Sequence, residues 1–311
     1  MSAIAMSEQV RNWGIAVRAF SYPASIVPVL LGSIFAWYET GVFSWGFFIL
    51  AMFAGMLYHT GSNLVNDYYD YKYKVDRSDT FGGSGQLVRG VMTPRQFAIG
   101  SLVTLGAGTL IGLFFLLHFH AQYPFGWPLL AIGAFGLLGA TFYTATPFSA
   151  KYNALGEPLV FLTMGTGMVL GGYFVQAGNL SWNAVWVSLP VAFLVAAILQ
   201  GNDTRDIGDD RESKITTAST LLGPTGSRIY FTVLALAPYA CLPFLAAFGV
   251  TGWSVLLPFL TLPLLAPIIK LVWTVRDERH DALHDIPENT AKLHLAFGVL
   301  LSIGIVLSRW F

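Results

Sequence analysis

Asn66, Asp67 and Asp70 spell N-D-x-x-D in NDYYD (66–70), and Asn202, Asp203 and Asp206 repeat it in NDTRD (202–206). Asp76 follows the first copy and Asp210 the second. On a helical period Asp67 and Asp70 stand at i, i+3, and Asp203, Asp206 and Asp210 form an i, i+3, i+7 stripe, so each segment presents a row of oxygen ligands. Like charges this close destabilise a helix, and at the C-terminal ends of apolar runs the macrodipole opposes them too. Something cationic is needed. Hard oxygen donors suit Mg²⁺, which prefers one or two carboxylates plus phosphate oxygens to an all-protein cage. Four Asp carry about −4, two Mg²⁺ about +4 and a diphosphate about −3, a deficit that Lys72, Lys74, Arg77, Arg205, Arg211 or Lys214 can meet. A single pair would read as solvated charge ending a helix at a membrane surface. Two copies with cations nearby favour a metal-diphosphate site.

The elements that carry these residues follow from composition. The chain has 311 residues, 55% hydrophobic and 11% charged, far from the roughly 25% charge of soluble domains, and reads as an integral membrane protein. Its formal net charge is zero, which gives no basic field for nucleic acid. Charge-free stretches at 19–38, 40–66, 96–150, 158–202, 229–269 and 293–308 accommodate one, one, two, two, two and one helices of about 20 residues. The expected fold is therefore all-α: nine transmembrane helices in one bundle, a single domain over 1–311, with polar cap segments 66–94 and 202–226. All but Arg309 of the 17 Lys and Arg fall on the N-terminal side of the membrane in this arrangement. The positive-inside rule then places the N-terminus and both aspartate segments in the cytoplasm, the C-terminus outside, and the chain in the cell membrane. The first 20 residues lack the layout of a cleaved signal peptide and read as an interfacial lead-in. Cys241 is the only cysteine, mid-span, and reads as packing.

Other residues have two readings each. GGSGQLVRG (82–90) is a phosphate-wrapping loop or a flexible lid. Arg18 binds an anionic group of a second substrate or snorkels to the interface. Tyr143 and Tyr68 wall a cationic intermediate or face lipid. His59 lies inside the second span, where packing and proton transfer are equal accounts. Glu157, before Pro158, caps the fifth span. His280, His284 and His294 lack a metal spacing and read as surface residues.

The two motifs, each after an even-numbered span, make the chain resemble the UbiA-type intramembrane polyprenyltransferases. RAFSYPASIVPVLLGS (18–33), YTATPFSAKYNALGEPLVFL (143–162) and TAKLHLAFGVLLSIGIVL (290–307) are most similar to the 1,4-dihydroxy-2-naphthoate polyprenyltransferases of menaquinone synthesis. The first motif departs from the family spelling NDxxDxxxD: the third Asp is expected at Lys74 and comes at Asp76 instead. The resemblance implies Mg²⁺ ligands at Asp67, Asp70, Asp206 and Asp210, and substrate contacts at Asn66, Asp76, Lys72, Arg77, Asn202, Asp203, Lys214, Arg18 and Tyr143. It implies a polyprenyl diphosphate and a hydroxylated aromatic acceptor as partners. Acceptors such as 4-hydroxybenzoate remain within that class. A secondary transporter is the alternative from another class, disfavoured because the carboxylates gather at one face and not at the midplane.

Overall fold

In the computed structural model, which describes residues 3–78, 80, 82–122, 126–275 and 281–310, the regular elements are helices, and no strand occurs among the described residues. We label them α1 (Ala3–Ala16), α2 (Pro23–Thr40), α3 (Trp45–Lys72), α4 (Pro94–Phe119), α5 (Trp127–Phe142), α6 (Gly156–Ala177), α7 (Trp182–Glu212), α8 (Ala218–Ala247), α9 (Trp253–Thr274) and α10 (Ile286–Leu307). Local sequence sets many of the ends. Ser44 and Ser181 cap α3 and α7 by accepting from Phe47 N and Asn183 N. Thr93 with Gln96 and Thr217 with Thr220 form reciprocal capping boxes that start α4 and α8. Gly41 and Gly178 close α2 and α6 in the left-handed region, at φ 77° and 72°, where a Cβ would be strained.

Among the described residues, eight segments are long and apolar enough to cross a membrane: Ala19–Thr40, α3, α4 and α6 to α10. The counterpart of the expected fourth span, α5, has 16 residues. At 1.5 Å per residue it reaches about 24 Å, short of the roughly 30 Å hydrocarbon core. The second and sixth spans are longer than their apolar stretches suggest. With 28 and 31 residues, α3 and α7 measure about 42 and 46 Å, so their last turns extend past the hydrocarbon and carry both aspartate motifs as helix. Segments 66–72 and 202–212 are thus helical extensions, and α8 begins at Ala218, bent at Gly223 (φ 71°).

The most buried span is α7, which packs on α8, α10 and α6 through Val191, Leu194, Phe231 and Phe297. Against α6, α2 comes to backbone contact: a Cβ on Gly32 would lie 2.1 Å from Val169 O, and one on Gly172 2.7 Å from Val29 O. Small residues at such crossings let helices gain packing where lipid supplies no hydrophobic drive. One surface expectation is corrected here. His294 is fully buried, because α10 starts at Ile286 and Thr290, His294, Phe297 and Leu301 form its inward stripe. His284 is exposed as expected, and His280 lies outside the described residues.

Candidate active site

Residues from the last turns of α3 and α7 line one end of a cavity of about 460 Å³. Arg18, Asn66, Tyr143, Asn202, Asp203, Asp206 and Asp210 line its polar end, and Phe115, Leu116 and Leu129 line the apolar end. Tyr143 and Leu129 are 14 positions apart along α5 and its exit, about 21 Å of helix, so the cavity runs most of the way through the bundle. Sequence-distant residues thus share one chamber, polar at its mouth and greasy below.

Each carboxylate of the first motif is held by a cation from elsewhere in the chain. Asp67 is ion-paired to Arg18 Nη2 and accepts from Ser84 N at 2.9 Å. Asp70 has no exposed surface; it accepts from Lys151 Nζ at 2.8 Å, Asn66 Nδ2 at 3.0 Å and the Tyr152 hydroxyl. Lys151 and Tyr152 come from the α5–α6 connection, which is tied down by a bridge between Asn153 and Thr216. Ser149 and Ala154, flanking that pair, both take left-handed backbone (φ 41° and 54°), a conformation non-glycine residues hold only where surroundings impose it. In the second motif Arg205 grips Asp206 through Nε and Nη2 at 2.6 and 2.7 Å, and Asp210 accepts from Thr217 Oγ1 at 3.2 Å.

Asp76 lies under the 82–85 loop: a Cβ on Gly82 or Gly83 would fall 2.4 or 2.1 Å from its oxygens. The glycines are there because the backbone must pass that close. Burial first, then the neighbouring Asp70, pushes Asp76 up to about 7, while Lys151 pulls the other way. Burial lowers Lys151, but Asp70, Tyr143, Tyr152 and Asp210 together outweigh it and leave the ammonium well above its ordinary value. Asp76 titrates higher when folded than when unfolded, so its contribution to stability is full below about pH 4 and is lost as pH rises through about 7. The expected result is a thermal midpoint of the metal-free protein that drops between pH 5.5 and 8, with a flatter slope in Asp76→Asn. An unchanged slope in that variant would remove the account.

The remaining expected contacts separate clearly. Arg77 bridges the two polar segments through Ser213 Oγ and Glu212 Oε2, both at 3.0 Å. Lys72 is exposed, 5.4 Å from the centre of the Tyr69 ring, and Lys214 is exposed in left-handed backbone. Neither lines the cavity. Lys151 and Tyr152 were not singled out from sequence; their stretch carried only a resemblance. His59 lines the cavity wall, bonded to Ser21 and Ser25 Oγ at 3.1 and 2.8 Å, so both ring nitrogens are already engaged.

The donor set suits Mg²⁺: every candidate ligand is oxygen, and Asn66 Oδ1 is buried without a partner. Among the described residues no three His, Cys, Asp or Glu side chains converge to hold a metal unaided. That is the arrangement expected where phosphate oxygens complete the shell.

A helical membrane protein with carboxylates and cations at one end of a long apolar chamber is built for a molecule with an anionic head and a greasy tail. The chain belongs to the UbiA prenyltransferase family, whose model matches residues 25–303, and is a prenyltransferase. UbiA prenyltransferase domain-containing protein 1 of Mus musculus is 32% identical over 300 residues, covering 96% of this chain and 84% of that protein. Its Homo sapiens counterpart is 31% identical over 304 residues, covering 97% and 85%. Among solved structures, a UbiA homolog from Archaeoglobus fulgidus bound to GPP and Mg²⁺ superposes with a TM-score of 0.63 at 14% identity, covering 94% of this chain and 99% of that one. The apo UbiA homolog from Aeropyrum pernix K1 gives 0.63 at 17% identity, covering 93% and 96%. These two share the fold.

Proposed function

We propose that this protein transfers a polyprenyl group from polyprenyl diphosphate to 1,4-dihydroxy-2-naphthoate, releasing diphosphate and CO₂ and giving a prenylated naphthohydroquinone of the demethylmenaquinol type. The observation that carries the reading is that Asn202, Asp203, Asp206 and Asp210 of the second motif line the polar end of the apolar cavity together with Asn66 of the first, whose Asp67 and Asp70 sit behind it on Arg18 and Lys151, both of which line the cavity. The relative bound to GPP and Mg²⁺ supports the same pairing of ligands for this chain. Asp67, Asp70, Asp206 and Asp210 would hold Mg²⁺, with Asp76 close by. The metal supplies neutralisation of the leaving diphosphate's charge.

The chain's own residues do the rest. Lys151 and Arg205, both lining the cavity, offer charge to the diphosphate, and the apolar walls hold the tail and keep water from a developing allylic cation. Arg18 Nε and Asn66 Oδ1 are both buried, both unpartnered, and both residues line the cavity. The Arg18 guanidinium, at the cavity's polar end, suits the carboxylate that dihydroxynaphthoate and 4-hydroxybenzoate both carry. The cation distribution supports a cytoplasmic polar end, and α5 would complete nine crossings where the bilayer thins to meet it.

The test is mass spectrometry of products from purified protein, Mg²⁺ and a polyprenyl diphosphate with each acceptor in parallel. A prenylated, decarboxylated naphthohydroquinone is expected. Product with 4-hydroxybenzoate alone would overturn the acceptor, and Mg²⁺-independent product would overturn the site.

A further inference from the structure

Glu157 stands at the start of α6, 1% exposed, with its own backbone N–H nearby but no well-formed hydrogen bond from another residue to Oε1 or Oε2. The group facing it is the carboxyl of Asp203, within hydrogen-bond reach and itself 7% exposed. Asp203 lines the cavity; Glu157 stands behind it. The Tyr143 ring packs beside them, since a Cβ on Gly156 would lie 3.4 Å from its Cε2 and 3.7 Å from its hydroxyl. The helix that carries Glu157 then widens into a π-helical stretch, Phe161–Gly167, an irregularity that recurs at functional sites.

Two carboxylates cannot face each other out of water with both charges; one proton must sit between them. The pair then carries one negative charge, and Asp203 still turns a lone pair toward the cavity. Asp210 and Lys151 line the same end, so the second charge is held off there as well.

Resting on the prenyltransfer reading, we propose that Asp203 is the general base for the aromatic acceptor and that Glu157, sharing the proton behind it, is its positioning residue. This assigns Asp203 to the acceptor and not to the metal-diphosphate end. As the prenyl C1–O bond breaks, its pair leaves with diphosphate, and a ring π pair forms the new C–C bond. The proton of a ring hydroxyl passes to Asp203 while its O–H pair closes a ring carbonyl. Loss of CO₂ returns the C–COO⁻ pair to the ring and oxygen, which takes the proton back from Asp203. The proton is borrowed and returned, and no oxidant or reductant is needed.

The experiment measures kcat, the KM for polyprenyl diphosphate and the Mg²⁺ midpoint in wild type, Asp203→Asn, Glu157→Leu and Glu157→Gln. Removing a general base is expected to lower kcat by about 10²-fold or more in Asp203→Asn, with the Mg²⁺ midpoint and diphosphate KM within about twofold. Glu157→Leu should lose about 30-fold. Glu157→Gln, whose amide can donate to Asp203 as the shared proton does, should recover most of that loss, to within about fivefold of wild type. A Mg²⁺ midpoint displaced tenfold in Asp203→Asn would put Asp203 in the metal shell and overturn the assignment. So would Glu157→Gln as damaged as Glu157→Leu. Wild-type protein that transfers to no acceptor would instead take down the prenyltransfer reading itself, whereas transfer intact in Asp203→Asn overturns this inference alone.

Discussion

Asp67→Asn is expected to lower prenyl transfer by about 10³-fold, with Asp206→Asn close behind, because each removes a carboxylate from the charge that must gather around a departing diphosphate. The structure gives Asp67 two holds, Arg18 at one oxygen and Ser84 N at the other. An Asn side chain fits the same volume and can still accept from Ser84, so the fold should survive while the anionic ligand is lost. Arg18, half-buried with a side chain 20% exposed, then loses its partner, and the roughly 3–5 kcal/mol of a fully buried pair is the upper bound on the cost. The measurement is product formation across a Mg²⁺ titration. Activity recovered at high Mg²⁺ would mean weakened metal binding alone; activity unrecovered at saturation would mean a loss specific to the transition state. A tenfold effect or less would show that Asp67 serves Arg18 and not the metal.

The positions of the aspartate segments were legible in the sequence because their information is local: two copies of N-D-x-x-D after two apolar runs mark the last turns of α3 and α7. Helix ends were less so. Hydropathy stops at 65 and 201, but Asn66, Asp70, Asn202 and Asp206 keep backbone hydrogen bonding to Lys72 and Glu212, since a helix ends by hydrogen bonding and not by polarity. Arg18 was marked as a substrate contact, but the pairings of the cations with particular carboxylates were out of reach. Arg18 lies 49 residues before its partner, and Lys151 lies 81 after its own. Nothing in AKYN marks a lysine aimed at a distant carboxylate, and Lys72 and Lys214, nearer in sequence, are turned to solvent. His294 was misplaced for a related reason. The last charge-free stretch begins at 293, which puts His294 near a frayed end, whereas a start at Ile286 puts it on the packed stripe.

Lys151→Met should separate two quantities that usually move together. Lys151 Nζ is 2.8 Å from Asp70, whose carboxylate has no exposed surface and is also gripped by Asn66 and Tyr152. A fixed ammonium on a would-be metal ligand competes with the metal for that ligand. When diphosphate arrives, the same ammonium is placed to meet the phosphate oxygens as a point charge. Removing it therefore frees Asp70 and subtracts from the diphosphate's cage. Mg²⁺ binding in the absence of substrate should tighten several-fold, read by calorimetry, while kcat/KM for polyprenyl diphosphate falls about 10²-fold. Lys151→Arg keeps the charge but replaces a point with a broad fork, and should restore part of the turnover and most of the metal competition. Stability moves in a third direction. Without Mg²⁺ the Met variant leaves Asp70 buried with neutral partners only, so its thermal midpoint should drop, and saturating Mg²⁺ should return most of the loss by binding the folded state alone. If metal affinity and turnover instead fall together, Lys151 orients Asp70 for the metal; if neither changes, the 2.8 Å contact belongs to the fold and the diphosphate is held from elsewhere.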